Sequence, residues 1–139
     1  MPKLKVAIFG LGGIGGLLGS IINHKKIFLS TYQKNNLKKI EINLDSTLYG
    51  KIKKKIPQRK SFNNYDIILI CTKYPYLRRY TKIINKTKAL IIPLLNGILH
   101  YEILKKKNAN FFYANIGKVV SYKNKNIIIH NSKTEPEIL

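Results

Sequence analysis

Residues 5–16 read KVAIFGLGGIGG. An apolar run stops at three glycines, Gly10, Gly12 and Gly15, spaced G-x-G-x-x-G. The spacing has a mechanical meaning. A β-strand, Leu4 to Phe9, ends, and the chain must turn tightly into a helix. Gly10 permits the turn. Gly12 has no side chain to keep a pyrophosphate away from the backbone. Gly15 lets the helix pack closely on the strand. The helix, Ile14 to Asn23, then presents unpaired N–H groups and the positive end of its dipole to the phosphates. The glycines alone are a common pattern. The strand-like run before them and the apolar, helix-length segment after them give the pattern its weight.

A competing reading must be met. Residues Val6 to Asn23 carry no charge, and Lys3, Lys5, Lys25 and Lys26 flank them. About 18 apolar residues is the lower limit for a membrane span, and a signal sequence has a similar look. Against both stand Gly10, Gly12, Gly13, Gly15, Gly16 and Gly19. Each glycine costs roughly 1 kcal/mol in a helix interior. No A-x-A-like cleavage site follows, and lysines on both flanks give no orientation signal. The strand–turn–helix reading is preferred, with no membrane partner.

The 139 residues suffice for one domain, 1–139, with a real core. Hydrophobic residues make up 45%, which argues against disorder. The single cysteine, Cys71, excludes an intrachain disulfide. It sits in an apolar run and reads as a buried structural thiol, and a reducing cytoplasm fits it. No zinc-type Cys/His spacing exists. His24, His100 and His130 read as surface or structural residues. The net charge is +20, from 26 Lys+Arg against 6 Asp+Glu. A polyanion such as nucleic acid could answer it. The lysines, however, are spread along the chain, and arginine occurs only at Arg59, Arg78 and Arg79. The charge therefore reads as compositional, with no specific nucleic-acid partner expected. Its field still draws in small anions, a dinucleotide included.

The elements alternate along the chain. Ile27 to Tyr32 is a second strand. Lys38 to Lys54 reads as a half-exposed hairpin turning at Asp45-Ser46, and Pro57 ends it. Tyr65 to Thr72 is an unbroken β-branched run, as in a central parallel strand. Tyr76 to Lys86 has helical spacing. Ala89 to Leu95 is another buried strand, stopping at Asn96-Gly97. Ile98 to Lys107 is a third helix, with Lys105, Lys106 and Lys107 at the negative end of its dipole. Phe111 to Val120 and Asn126 to His130 read as strands joined by a polar turn, Lys123-Asn124-Lys125. The order predicts an α/β fold: a Rossmann-like, mostly parallel sheet with helices on both faces.

Ligands in such sheets lie along the carboxyl ends of the strands. Here those ends are the glycine turn, Tyr32 to Lys34, Thr72-Lys73-Tyr74, Asn96-Gly97 and the region of Asn115. NAD sites usually place an acid at the end of the second strand, for the ribose 2′-OH, and NADP sites a cation for the 2′-phosphate. The first acid of this chain is Glu41, and the second strand ends in Thr31-Tyr32-Gln33-Lys34. A carboxylate there would repel a phosphate and Lys34 would attract it. The expected cofactor is NADP(H).

With these residues in hand, the chain resembles the N-terminal domain of the ketopantoate reductase (2-dehydropantoate 2-reductase) family. The likeness is carried by GLGGIG at 10–15, DIILICTK at 66–73, LIIPLLNG at 90–97, and a closing strand, polar turn and strand ending IIIH at 127–130. The resemblance implies NADPH-dependent reduction of a 2-oxo acid, ketopantoate, on the route to pantothenate. By motif match it puts Gly10, Leu11, Gly12, Gly13, Ile14, Gly15, Lys34, Thr72, Lys73, Asn96 and Gly97 around the cofactor. Lys73 and Asn96 would lie near the nicotinamide and the substrate. The family also has a second, helical domain that supplies the proton-donating lysine and the substrate clamp. Those parts are not among these residues, so the expectation is a truncated domain, inactive alone, to which a second chain could supply the helical part. The rivals are a non-enzymatic module that senses NADP(H) and a nucleic-acid binder driven by charge.

Overall fold

The computed structural model describes residues 2–107, 109–117 and 119–139. In chain order the first elements are β1 (Leu4–Phe9), α1 (Gly13–Ile21), β2 (Ile27–Thr31), β3 (Lys39–Ser46), β4 (Gly50–Pro57) and β5 (Ile67–Ile70). A 3-10 helix (Tyr74–Tyr80) leads into α2 (Thr81–Ile84), β6 (Leu90–Pro93) and α3 (Leu99–Lys106). The chain closes with β7 (Ile116–Gly117), β8 (Ser121–Asn124), β9 (Ile127–His130) and β10 (Glu137–Ile138).

The β-branched, unbroken apolar runs form one parallel sheet in the order β2-β1-β5-β6. Val6 lies opposite Leu29 on one side and Ile67 on the other, and Ile68 lies opposite Ile91. Two strands flanked on both sides must be apolar on both faces. Accordingly Ala7, Ile8, Phe9, Ile68 and Ile70 are wholly buried. On one face Ala7, Phe9, Ile68 and Ile70 pack with Leu77, Tyr80, Ile84 and Leu104 of the helices. On the other, Val6, Ile8 and Leu69 pack with Leu17 and Leu18 of α1.

Behind α1 lies a second sheet, in the order β4-β3-β9-β8. The half-exposed hairpin belongs to it rather than to the parallel sheet. Ile42, Leu44, Ile56 and Ile128 bury its inner face against the core that contains α1. This placement accounts for the glycines beyond the turn motif. A Cβ on Gly13 would run into the Ser121 carbonyl, one on Gly16 into Ile128, and one on Gly19 into Ile42 and Ile56. The helix is glycine-rich because a sheet presses on it, not because it crosses a membrane. Lys54 of β4 donates from Nζ to the Ile22 carbonyl at 2.5 Å, closing the C-terminal end of α1. No helix among the described residues is long and apolar enough to span a bilayer.

Four expected boundaries change. The hairpin turns at 47–49, because Asp45 and Ser46 stay paired with Lys51 and Gly50. The Ser46 hydroxyl accepts from the N–H groups of Leu48 and Tyr49, so it braces the turn from the strand end. The helix expected from Tyr76 begins as a 3-10 helix, with a proline in its first turn. The long strand Phe111 to Val120 reduces to a single parallel bridge, Phe111 to Ile91, followed by β7; Lys118 of that segment lies outside the described residues. The polar turn falls at 125–126, since Lys123 and Asn124 pair with Ile128 and Ile127.

Candidate functional site

The carboxyl ends of β1, β2 and β5, and the segment leaving β6, open into one cleft of about 1630 Å³. The strand ends named from sequence meet there. Gly10, Leu11, Gly12, Gly13, Ile14, Lys34, Thr72, Lys73 and Asn96 all line it. Gly15 and Gly97 do not. Gly15 sits where a Cβ would strike the Gly10 carbonyl and Cys71, so its role is to let α1 close on β1 and β5. Gly97 turns the chain after Asn96, with φ +85°. Asn115 is absent from the wall; Ile116 and Val119 stand there instead.

The glycine turn has the shape its spacing predicts. Gly10 has φ +94°, and a Cβ there would collide with Thr72, so β1 and β5 end in close contact. Gly12 is different, since no atom lies within 4 Å of the place its Cβ would take. That open space faces no protein and fits an approaching ligand. Gly12 also caps α1, no side chain caps the helix, and the first hydrogen bond runs from the Gly16 N–H to the Gly12 carbonyl at 2.7 Å. The N–H groups of the first turn are left for a ligand.

The second wall is the loop after β2. Its anchor is Gln58, a buried residue that sequence reasoning missed. Its Oε1 accepts from the Gln33 N–H at 2.8 Å, and its Nε2 donates to the Leu37 carbonyl at 2.8 Å and the Asn35 carbonyl at 3.1 Å. Gln58 reaches this place because it bridges to Thr31 at the end of β2. Lys34, held within this loop, remains exposed to the cleft.

The third wall is the 3-10 helix after β5. Tyr80 stacks on Phe9 at 4.7 Å between ring centroids and meets Tyr32 edge-on at 6.1 Å. Burial pushes its hydroxyl pKa up, against a smaller opposing effect of Arg79. Lys73, Arg78, Arg79 and Lys82 line the cleft from this segment, and Lys34 and Lys123 line it from others. No carboxylate is among its lining residues. Its charged lining residues are all cations. Arg78 and Arg79 were legible in the sequence only as two of a scarce residue type.

The remaining candidates behave as structural groups. Cys71 touches the cleft, yet burial pushes its thiol up to about 12, so it stays protonated and unreactive at neutral pH. His24 is exposed and accepts from the Lys26 N–H. His130 is buried, bonded through Nδ1 to the Ser46 hydroxyl at 2.8 Å. His100 is buried with neither ring nitrogen bonded among the described residues. The described residues hold no cluster of metal-ligating groups.

Comparison with known proteins follows the same outline. The model of one family, ketopantoate reductase PanE/ApbA, matches residues 6–138. No curated protein matches the sequence. Among solved structures, a putative ketopantoate reductase from Ralstonia solanacearum MolK2 superposes with a TM-score of 0.76 at 11% identity, covering 98% of this chain and 52% of that one. The probable 2-dehydropantoate 2-reductase of Bacillus subtilis gives 0.71 at 19% identity, covering 97% and 49%. A D-mandelate dehydrogenase in complex with NADH and anilino(oxo)acetate gives 0.72 at 17% identity, covering 96% and 47%. The chain thus spans about half the length of the structures it matches.

Proposed function

The chain belongs to the ketopantoate reductase PanE/ApbA family, and from that premise we propose that its 139 residues are the NADPH-binding half of a 2-dehydropantoate 2-reductase. The observation that carries the reading is the open space at Gly12, beside an uncapped helix start and in a cleft without a carboxylate. A backbone that no side chain shields fits a pyrophosphate. The N–H groups of the first turn of α1 hold it, and Gly10 sets the turn that aims them.

One of the similar structures holds NADH, so the fold by itself does not choose between the two dinucleotides. Charge does. Lys34, on the Gln58-braced loop, occupies the position where a 2′-phosphate needs a cation and a 2′-hydroxyl an acid. Lys73 and Asn96, which follow β5 and β6, also line the cleft, and in this reading they face the nicotinamide and the 2-oxo acid. When bound, NADPH would supply the hydride that reduces the substrate carbonyl. Asn96 orients that carbonyl, and Lys73 holds the substrate anion. The proton that completes the alcohol comes from a group outside these residues, as the family resemblance implies. Such a reductase works on a water-soluble acid, and a cytoplasmic setting suits it.

Thermal melting with added NADPH tests the reading. At a hundredfold excess over Kd, binding to the folded chain alone adds about 2.7 kcal/mol, a rise of several degrees in Tm. An unchanged Tm at millimolar NADPH overturns it.

A further inference from the structure

We propose that Arg78 and Arg79, on the 3-10 helix after β5, form the clamp that distinguishes a ribose 2′-phosphate from a 2′-hydroxyl, with Lys34 as the third cation. The inference rests on the dinucleotide reading of the cleft and assigns its selectivity to a different element from the loop after β2.

Arginine is scarce here, three residues among 26 cations. Arg59 is engaged away from the cleft: its Nη1 donates to the Gln58 carbonyl at 3.1 Å, and its guanidinium lies 5.4 Å from the Phe28 ring centroid. The other two are adjacent and both line the cleft. The Arg79 guanidinium lies over the Tyr76 ring, 4.6 Å from its centroid, which restrains the plane of its donors. The backbone under the pair is fixed, because the Arg78 carbonyl accepts from both the N–H and the hydroxyl of Thr81, the latter at 2.9 Å. The edge contact of Tyr80 with Tyr32 then joins the two basic segments. Arg79 is one residue from Tyr80 and Lys34 two residues from Tyr32, and Arg78, Arg79 and Lys34 all line the cleft. No ion pair among the described residues involves either arginine.

The chemistry of the two riboses separates the contributions. A 2′-phosphate carries about −1.5 to −2 charge at pH 7 and three acceptor oxygens. A planar guanidinium meets it with two parallel N–H bonds, while a lysine offers one point charge. A neutral 2′-hydroxyl gains little from either. The pair therefore contributes to NADPH and hardly at all to NADH.

The test is a set of calorimetric titrations of the full chain with NADPH, NADH, 2′,5′-ADP and 5′-AMP. Arg79→Ala is expected to weaken NADPH and 2′,5′-ADP about tenfold or more, leaving NADH and 5′-AMP within about twofold. Arg78→Ala/Arg79→Ala should remove most of the preference. Arg79→Lys should recover only part of it, since it keeps the charge and loses the fork. Lys51→Ala, on the edge strand β4, should leave all four ligands within about twofold, which separates a local clamp from the general field. Equal losses for NADPH and NADH in Arg79→Ala overturn the inference, as they would mark stacking on the adenine or a bulk charge effect. So does an unchanged NADPH affinity in the double variant. A wild-type chain that binds neither dinucleotide overturns the cofactor reading itself, and the clamp with it. Circular dichroism melts of each variant confirm that the folded chain is what is titrated.

Discussion

Gly12 and Gly15 are three residues apart, share one motif and answer to different demands. The place of a Gly12 Cβ is empty, whereas that of a Gly15 Cβ is filled by the Gly10 carbonyl and Cys71. Gly12→Ala should therefore leave the melting temperature nearly unchanged and weaken NADPH about tenfold or more, because the methyl group enters the space proposed for pyrophosphate. Gly15→Ala should destabilise the fold by about 1–3 kcal/mol, the usual range for overpacking. A melt and a titration on each variant check the pair. Equal loss of stability in both would mean that the space at Gly12 is not free. At this scale the sequence was informative about the glycines, whose spacing encodes backbone geometry. It was silent on Gln58, whose role depends on β4 ending beside β2. A second residue-level expectation concerns pH. Burial lowers the pKa of His100 and His130 from the ordinary 6.5. The unfolded chain then binds protons more tightly than the folded one, so the stability held by their neutral forms is full above about pH 6.5 and is lost as the pH falls through their lowered folded values. Tm should fall between pH 7.5 and pH 5, and His100→Leu should flatten the fall. A Tm independent of pH in that range would contradict the burial argument.

At the scale of elements, the parallel sheet was readable because strands buried on both faces must be continuously apolar, and β5 and β6 are. The second sheet was not. Its hairpin showed the right alternation, but the parallel pairing of β3 with β9 joins segments more than 80 residues apart, and no local pattern marks that. Nor does a local pattern reveal that α1 is squeezed between two sheets, although its glycine stripe is the trace of it. The loop after β2 is an element of this kind, positioned from afar. Gln58→Ala removes four side-chain hydrogen bonds that tie it to the residue following β4. The expected cost is about 1–3 kcal/mol from the buried partners left unpaired, with NADPH affinity falling more than NADH affinity as Lys34 loses its bracing. Urea unfolding and paired titrations read both effects. A variant with normal stability and an unchanged NADPH-to-NADH ratio would show that the loop holds itself.

For the whole molecule, the charge of +20 is the largest departure from an ordinary composition. Part of it lines the cleft. Another part, Lys51, Lys53 and Lys55, lies exposed along the edge strand β4, where lysines discourage a second sheet from pairing. On this account duplex DNA binds weakly and without sequence preference, with an affinity that drops steeply between 50 and 200 mM salt. Sequence-selective binding that survives physiological salt would give the charge a different purpose. Catalysis is also a property of the whole. Lys73 and Asn96 are exposed at an open cleft, and positioning together with general acid catalysis accounts for many powers of ten in rate. The 139-residue chain alone should oxidise NADPH with ketopantoate only at background rate. Steady turnover that disappears in Lys73→Ala would instead make this a one-domain enzyme.

The central claim, that the cleft is built for NADPH, is tested most directly by two calorimetric titrations of the unmodified chain, one with NADPH and one with NADH, at the same salt and pH. One charge-assisted hydrogen bond is worth roughly 1.5–3 kcal/mol, so NADPH should bind about tenfold more tightly or better. Equal affinities, or a preference for NADH, would contradict the account.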